Sequence, residues 1–554
     1  MYPFSSHVIG RTGPMATGEF RRVEALPRRV WEEADDLEEL RVGLTDMLKT
    51  PSGTMELRLS QAAALREAHD HEGLFAPIAV GEGKSLITLL APVVCEAERP
   101  LLLVPAAVRD QTFRKVVPEM SKHWQMHPEL TVLGYSELSL AKNANILEQI
   151  NPDMIIADEC HALKATRSGR TKRVKRFMRE NPSTTFIALS GTVTNHSIMD
   201  YWHILDWVFG REYSPLPSEY YEAVNWSEAL DARMEPYNRR NPGALIRFCV
   251  GGENVRQGYR RRLTETPGVL ATKETRLGTS LVITERKVKT PEVVTNTVSK
   301  ILDDWETPDG EIISEATDLW RTARSALCGF FYKWDPPPPA DWMDARKDWK
   351  RFVRETLRYN RRKLDTELQV WNECAKATRP VAEWTNWKHI KDAFKPNPVA
   401  VWFDRYLVRD AAKWLSKKDR ALCWVDHVPV GEAISEESGV KYYGSGDNSI
   451  LDATGKAIVS IRAHGTGKNL QHAFDKNLVT CPPPSGKVWE QLLGRTHRQG
   501  QESDEVSVEV YQQGHPFVTS MTQAVADAVF LQDTLGNSQR LLYCTRTIPK
   551  EENE

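Results

Sequence analysis

The residues with the clearest chemical potential lie in a short glycine-containing loop. The segment GEGKS at 81–85 follows the apolar run 74–80, which predicts a buried strand, and precedes a predicted helix. In this context glycines let backbone N–H groups approach an anion, a lysine neutralises it, and a hydroxyl ligates Mg²⁺. We therefore predict a nucleotide phosphate site, whose residues are Gly81, Glu82, Gly83, Lys84 and Ser85.

Two adjacent carboxylates follow a second apolar run. The segment DECH at 158–161 comes directly after the predicted strand 154–157. Ligands of an open parallel sheet bind at the carboxyl ends of its strands, so this segment is expected near the phosphate loop. Asp158 is predicted to hold Mg²⁺. Asp158 and Lys84 are both predicted to act in hydrolysis of the bound nucleotide. Glu159 is predicted to orient and deprotonate the attacking water.

A third set lies far downstream, in the segment QLLGRTHRQGQ at 491–501. Arg495 and Arg498 are three residues apart and share one face of a predicted helix. Arginines in such a position stabilise the charge of a transferring phosphoryl group. Gln491, one turn earlier, is predicted to contact ATP or the neighbouring half. The sequence thus predicts an ATPase site that is built from two halves of one chain.

The order of these motifs carries a family resemblance. The chain resembles superfamily-two helicases and translocases, and within them the Swi/Snf-type DNA-stimulated ATPases. The resemblance rests on GRTHRQGQ, on the segment 190–208 that begins with SGT, on Leu59-Ser60-Gln61 and on Gly134-Tyr135-Ser136. It covers about 56–210 and 396–515, and it is poor between them. The sequence departs from the family pattern at Ile78, at Val193 and within the loop 464–471.

The resemblance implies an α/β fold with two RecA-like parallel-sheet lobes and a helical insertion between them. ATP and Mg²⁺ would bind in the cleft, and DNA would lie across both lobes. Gln61 would read adenine, and His161 would link the ATP site to the nucleic-acid site. The nucleic-acid contacts that the family implies are Pro105, Tyr135, Ser136, Gly465 and Thr466.

A basic run follows DECH in the sequence. No acidic residue lies between Lys164 and Arg179. A charge run of this kind is often a solvated helix face. We favour binding to nucleic-acid phosphates, because a motor needs a track and such contacts carry affinity without sequence information. The residues predicted to contact the track are Arg170, Lys172, Arg173 and Arg176.

Composition restricts the class of protein. The chain has 73 Lys and Arg against 75 Asp and Glu, so a nucleic-acid site must be a local groove. It has no apolar run of about 18 residues, and its first residues have no apolar signal-peptide core. The eight cysteines include no C-x-x-C pair, which argues for reduced thiols in a cytoplasm and against a zinc site.

The predicted organisation has five parts. They are an N-terminal extension (1–55), a first lobe (56–210), a helical Trp-rich insertion (211–395), a second lobe (396–515) and a C-terminal helix and tail (516–554). The tryptophans of the insertion are predicted to anchor a small helical core. The alternative is that they stack on exposed bases.

These observations favour an ATP-dependent DNA translocase or helicase, expected to be a monomer acting on duplex or branched DNA in replication, recombination or repair. An RNA helicase is one alternative, although Gly500-Gln501 and the lack of a DEAD sequence speak against it. A non-catalytic nucleotide-gated DNA clamp is another. Retention of Lys84, Glu159 and both arginines argues against that second alternative.

Overall fold

The structure is a computed structural model. It describes residues 13–78, 82–105, 109, 112–191, 193–194, 197–231, 241–272, 279–310, 313, 316–358, 364 and 366–546. Gly81 of the predicted phosphate loop and Thr192 of the SGT segment lie outside these residues. None of the helices described is both long and apolar enough to cross a membrane.

A five-stranded parallel sheet forms the first half of the fold. Its strands are β1 (Gly73–Ala76), β2 (Pro100–Val104), β3 (Thr131–Gly134), β4 (Met154–Asp158) and β5 (Thr185–Leu189). They lie in the order β1-β5-β4-β2-β3. Their near-continuous apolar sequences are typical of parallel strands that are covered on both faces. Leu189 of β5 is in register with both Ala76 and Asp158, so the segments after β1, β4 and β5 leave the sheet at one edge.

A seven-stranded parallel sheet forms the second half. Its strands are β6 (Ser280–Arg286), β9 (Ala421–Val425), β10 (Tyr442–Tyr443), β11 (Lys456–Ser460), β12 (Lys476–Val479), β13 (Glu505–Tyr511) and β14 (Thr545–Arg546). They lie in the order β10-β11-β9-β12-β13-β6-β14. A separate antiparallel pair joins β7 (Phe330–Trp334) to β8 (Pro398–Trp402). The predicted α/β class with parallel sheets is confirmed.

Helices cover both sheets. Those associated with the first half are α1 (Gly18–Ala25), α2 (Leu37–Leu48), α3 (Leu59–Asp70), α4 (Lys84–Val94), α5 (Val117–Met120), α6 (Ile146–Ile150), α7 (Gly169–Glu180), α8 (Trp202–Tyr213), α9 (Tyr220–Leu230) and α10 (Val255–Thr264). Those that follow are α11 (Glu292–Asp304), α12 (Ala316–Leu327), α13 (Ala340–Arg358), α14 (Glu367–Lys376), α15 (Ala382–Ile390), α16 (Tyr406–Lys417), α17 (Val428–Ser438), α18 (Ile461–His464), α19 (Gly486–Thr496), α20 (His515–Leu535) and α21 (Arg540–Tyr543).

The predicted boundaries at 210 and 395 differ from those of the folded halves. Trp226 and Tyr259 are buried in the core of the first half, beyond residue 210. Strand β6, inside the predicted helical insertion, pairs along its whole length with β13 of the second sheet. It buries Leu281 and Ile283 on one face. Local pattern did not assign these apolar side chains to a sheet. Their burial and pairing show that the second half of the fold includes residues before 396.

The Trp-rich segment forms its own small core, as predicted. Trp349, Val353, Val370 and Trp384 are buried together, with Trp371 packed against them. The Trp349 indole donates a hydrogen bond to Glu367 Oε1 at 2.7 Å. These side chains therefore stabilise the packing of α13, α14 and α15, which is the structural role expected of buried aromatic residues.

Candidate active site

The predicted phosphate loop is contacted by a buried glutamine. Gly83 precedes α4 with φ of +78°, a conformation that favours glycine. Gln61 on α3 is buried, and its Nε2 donates to the Gly83 carbonyl at 3.2 Å. Its Oε1 accepts a hydrogen bond from the Arg58 N–H at 2.9 Å. Gln61, predicted to read adenine, thus lies directly against the loop, and a Cβ at Gly83 would collide with it.

Lys84 and Ser85 begin α4, where the helix N-terminus favours an anion. Lys84 Nζ donates to the Ile78 carbonyl at 3.0 Å. Burial lowers the pKa of Lys84, and the charge of Arg495 lowers it further, while Glu159 and Asp158 oppose this. The Ser85 side chain is exposed. The ammonium group therefore lies among charges that come from both halves of the chain.

Glu82 links the loop to the second half. Its carboxylate is 3.2 Å from Arg58 Nη1. The other terminal nitrogen of Arg58 donates to Gln499 Oε1, which lies in the segment after α19. The predicted phosphate-binding residue Glu82 is therefore part of a contact between the two halves.

Glu159 is fixed by a polar network at the edge of the first sheet. It has φ of +54°, uncommon for a residue with a side chain, and lies directly after β4. Ser190 Oγ, after β5, donates to Glu159 Oε2 at 2.8 Å. His161 Nδ1 lies 3.1 Å from the same carboxylate oxygen and 3.0 Å from Ser190 Oγ. The network joins DECH to SGT and holds one carboxylate oxygen in place.

The two adjacent carboxyl groups have opposite pKa shifts. Burial and the neighbouring Glu159 charge raise the pKa of Asp158 to about 7. Burial also acts to raise the pKa of Glu159, but the hydrogen bond with His161, the charge of Lys84 and the hydrogen bond from Ser190 hold it below its ordinary value. Burial and the charge of Lys487 lower the pKa of His161 to about 4. Glu159 is thus an ionised carboxylate beside a neutral imidazole, and the ionised form is the one that can accept a proton.

Helix α19 ends at Thr496, so Arg495 lies in its last turn and Arg498 lies in the segment that follows. The prediction that both arginines share one face of a helix is therefore wrong. Arg495 is buried, with its Nε donating to the Gln491 carbonyl at 2.8 Å and its Nη1 to the Lys468 carbonyl at 3.0 Å. Burial and the charge of Arg498 lower its pKa to about 9, and Glu159 opposes the shift. Arg495 also interacts electrostatically with both Lys84 and Glu159, so it lies near these two residues of the first half.

Arg498 and Gln491 have polar atoms without a hydrogen-bond partner among the described residues. Arg498 Nη1 donates to Asn469 Oδ1 at 2.6 Å, but its buried Nε has no such partner. Burial and the charge of Arg540 lower the pKa of Arg498. Gln491 Nε2 is also buried without a partner in the described part of the chain. Donors of this kind are available to an oxygen-rich ligand.

Sequence reasoning missed three residues of this site. Lys487 lies on α19, and its pKa is lowered to about 7, first by burial, with Glu159 opposing. Arg540 of the tail is buried in an ion pair with Glu490 of α19. Ser190 belongs to SGT, a segment that the sequence identified without giving it a role. Neither Lys487 nor Arg540 has a spacing signal, because the docking of α19 and the tail places them.

The nucleic-acid contacts implied by the family lie in different environments. Ser136 is exposed, whereas Pro105 and Thr466 are half-buried. Gly465 is buried, and a Cβ there would collide with the Ile461 carbonyl. Tyr135 requires a correction. Its side chain is 2% exposed and its hydroxyl donates to the Asp158 carbonyl at 2.9 Å, so the ring belongs to the core and not to a nucleic-acid surface.

The basic run after DECH forms α7, and two of its predicted phosphate contacts also require correction. Arg173 is 1% exposed and donates to the carbonyls of Leu138 and Leu140, each at 2.7 Å. Arg176 forms an ion pair with Glu148 at 2.9 Å. The acidic and carbonyl partners come from other segments, which the run itself could not reveal.

The other two residues of the run remain candidates. Lys172 Nζ donates to the Leu357 carbonyl at 3.2 Å and is partly exposed. Arg170 is half-buried, with no hydrogen-bond partner for its buried Nε among the residues described. Of the four predicted nucleic-acid contacts on α7, these two are therefore the ones that the structure does not contradict.

The charges of the site suit a polyanionic substrate. Cations from both halves lie around two carboxyl groups, and burial lowers the pKa of Lys84, Arg495 and Arg498. Bound phosphates would compensate these positive charges, and an oxygen-ligated cation would compensate Asp158. No protein-family model matches this chain, and no curated protein matches it.

Proposed function

We propose that the protein is an ATP-dependent DNA translocase or helicase, with two RecA-like lobes and a role in replication, recombination or repair. One observation carries this proposal. Lys84, Glu159 and Arg495 interact electrostatically although they come from a loop of the first sheet, a strand end of that sheet and a helix of the second. A site shared in this way responds to the relative position of the two halves, which is what a motor requires.

The ground-state binding of ATP·Mg²⁺ uses the edge of the first sheet. Lys84 would exchange its hydrogen bond to the Ile78 carbonyl for the β- and γ-phosphates. Ser85 and Asp158 supply a hydroxyl and a carboxylate, the oxygen donors that Mg²⁺ prefers. The cation would neutralise phosphate charge. Its presence also favours the ionised form of Asp158, whose pKa is about 7 in its absence.

Water activation falls to Glu159. The carboxylate is ionised, and Ser190 and His161 hold one of its oxygens, which leaves the other to accept a proton from water. Arg495 and Arg498 then stabilise charge on the transferring phosphoryl group when the halves close. This division separates binding, which one half performs, from transition-state stabilisation, which needs both.

A short path couples DNA to the metal-binding edge. Tyr135 donates to the Asp158 carbonyl, while the next residue, Ser136, is exposed. DNA bound at Ser136 would therefore act on the backbone of Asp158 through a single residue. Thr466 and Pro105 would complete the contacts, with Arg170 and Lys172 adding phosphate binding. This path gives DNA a means to stimulate hydrolysis.

The decisive experiment measures ATP turnover with no polymer, with single-stranded, duplex and branched DNA, and with RNA. Lys84→Ala is the control that should lack ATP turnover. We expect DNA, and not RNA, to increase turnover in the wild type. Equal stimulation by RNA would favour an RNA helicase. DNA binding that responds to nucleotide without any turnover would show a nucleotide-gated clamp and contradict the proposal.

A further inference from the structure

A buried sulfur and nitrogen cluster lies in the second half of the fold, apart from the nucleotide site. The ligand atoms of Cys328, His427 and Cys481 all lie within 4.8 Å of one another. Both cysteines are fully buried, and the histidine is 9% exposed. The three residues come from three separate segments of the chain, so the fold alone brings them together.

The sheet topology explains two of the positions. His427 and Cys481 follow β9 and β12, which are adjacent parallel strands. The Thr480 N–H donates to the Trp424 carbonyl at 3.1 Å, which keeps the chains paired to their ends. Residues just beyond such strands emerge side by side at the carboxyl edge of the sheet, where ligands commonly bind.

The third position comes from the end of α12. Gly329 follows Cys328 with φ of +92°, and a Cβ there would collide with the Asp404 carbonyl. The Tyr406 hydroxyl donates to the Leu327 carbonyl at 2.6 Å. These contacts draw the turn between α12 and β7 onto the second sheet and fix the Cys328 side chain beside the strand ends.

An arginine donates to one of the two sulfur atoms. Arg324 Nη2 lies 3.1 Å from Cys481 Sγ, 3.1 Å from Asp426 Oδ2 and 3.0 Å from the Pro482 carbonyl. A guanidinium N–H on a sulfur favours the thiolate, which is the form that binds metal. His427 Nε2 is buried with no hydrogen-bond partner in the part of the chain described. The cluster thus contains buried sulfur and imidazole donors.

We propose that Cys328, His427 and Cys481 bind a zinc ion that fixes the end of α12 and the β7–β8 pair to the second sheet. Two thiolates and one imidazole are the donor set that zinc prefers. Ligand atoms on a tetrahedral zinc lie about 3.5–3.8 Å apart, so the cluster needs only a small contraction. Each ligating thiol that is still protonated releases its proton as the metal–sulfur bond forms.

The surrounding charges fit this ion. Zinc and Arg324 together balance two thiolates and the Asp426 carboxylate, which leaves no net charge in a buried place. A water molecule would occupy the fourth position. The expectation from sequence that the cysteines do not form a zinc site rested on the absence of a C-x-x-C pair. Ligands that meet only through sheet topology leave no such pattern in the sequence.

The test does not depend on the ATPase proposal. The untagged full-length protein, purified without chelators, would be analysed for metal content by mass spectrometry. We expect about one zinc per chain, and the loss of most of it in His427→Ala and Cys481→Ser. Cys423→Ser is the matched control, since Cys423 is a buried cysteine of β9 outside the cluster. It should retain the metal.

Cobalt titration of the metal-stripped wild type keeps the proposal falsifiable if a variant fails to fold. We expect thiolate-to-cobalt charge-transfer absorption that saturates at one equivalent and is displaced by zinc. A wild-type protein that holds no zinc and shows no such absorption would overturn the proposal. So would a Cys328–Cys481 disulfide in the freshly isolated protein, which would show a redox pair, or unchanged zinc in Cys481→Ser.

Discussion

Helices α7 and α19 are both basic segments that the sequence assigns to phosphate binding, yet the structure uses their charges differently. On α7, Arg173 is buried on two carbonyls and Arg176 is paired with Glu148. On α19, burial lowers the pKa of Arg495 and of Lys487. A run of cations therefore does not identify an anion site. Burial of cations beside other residues of the site, as for Arg495 and Lys487 near Glu159, is the better indicator. Burial alone is not, because Arg262 is also buried and donates to the Leu26 and Pro27 carbonyls.

The largest expected effect comes from removing Arg498, which follows α19. Arg498→Ala should lose about 10³–10⁵ in DNA-stimulated hydrolysis, because such an arginine acts on transition-state charge. Nucleotide affinity should fall much less. Steady-state turnover with duplex DNA and equilibrium ATP binding measure the two quantities.

Arg495→Ala should show the same pattern, and Arg179→Ala supplies the control. Arg179 lies on α7 and its side chain is 70% exposed. Its replacement therefore controls for the loss of one positive charge outside the nucleotide site. Unchanged turnover in both Arg495→Ala and Arg498→Ala would mean that the nucleotide site is not shared between the halves.

The next effect concerns the base. Glu159→Gln should bind ATP but hydrolyse it at least about a hundredfold more slowly, since the amide cannot accept the proton from water. Single-turnover hydrolysis of prebound ATP measures the chemical step. A glutamine variant with nearly wild-type turnover would remove Glu159 from the mechanism and leave its network with a purely structural role.

A third prediction separates structure from binding within α7. Arg173→Met should lower the free energy of unfolding by roughly 1–3 kcal/mol for each carbonyl left unpaired, since Leu138 and Leu140 lose their buried donor. Thermal or denaturant unfolding measures this loss. Arg179→Met should have almost no effect. If both variants were equally stable, Arg173 would not have the structural role assigned to it.

The smallest expected effect is on the DNA track. Arg170→Gln combined with Lys172→Gln should weaken DNA binding for all sequences alike. It should flatten the slope of log affinity against log salt by roughly 0.7–0.9 for each DNA phosphate that is no longer neutralised. Turnover without DNA should survive. A salt dependence equal to that of the wild type would show that this end of α7 is a solvated helix face.

Local pattern located many elements of the fold well. The predicted strand at 154–157 is β4 (Met154–Asp158), and the predicted C-terminal helix is α20 (His515–Leu535). Such elements have a short apolar run or a long periodic one between clear breaks, so the local sequence determines them. Motif spacing likewise placed Lys84, Glu159 and Arg495, which the structure brings into one electrostatic cluster.

Contacts that depend on long-range docking could not be predicted. Strand β6 joins the second sheet only because β13 lies beside it, and β14 returns from the far end of the chain. Asn537 Nδ2 donates to the Gly191 carbonyl at 3.2 Å, so the tail crosses from one half to the other. The burial of Tyr135 follows from packing against β4, which a Tyr-Ser pair in sequence does not disclose.

One measurement tests the shared site most directly, the single-turnover rate of bound ATP in Glu159→Gln, Arg498→Ala and the double variant, with duplex DNA at saturation. Residues that act on one transition state lose their effect together, so single losses do not multiply. We predict that the double variant is scarcely slower than the slower single variant. Losses that multiply in full would contradict the account, because Glu159 and Arg498 would then act independently of each other.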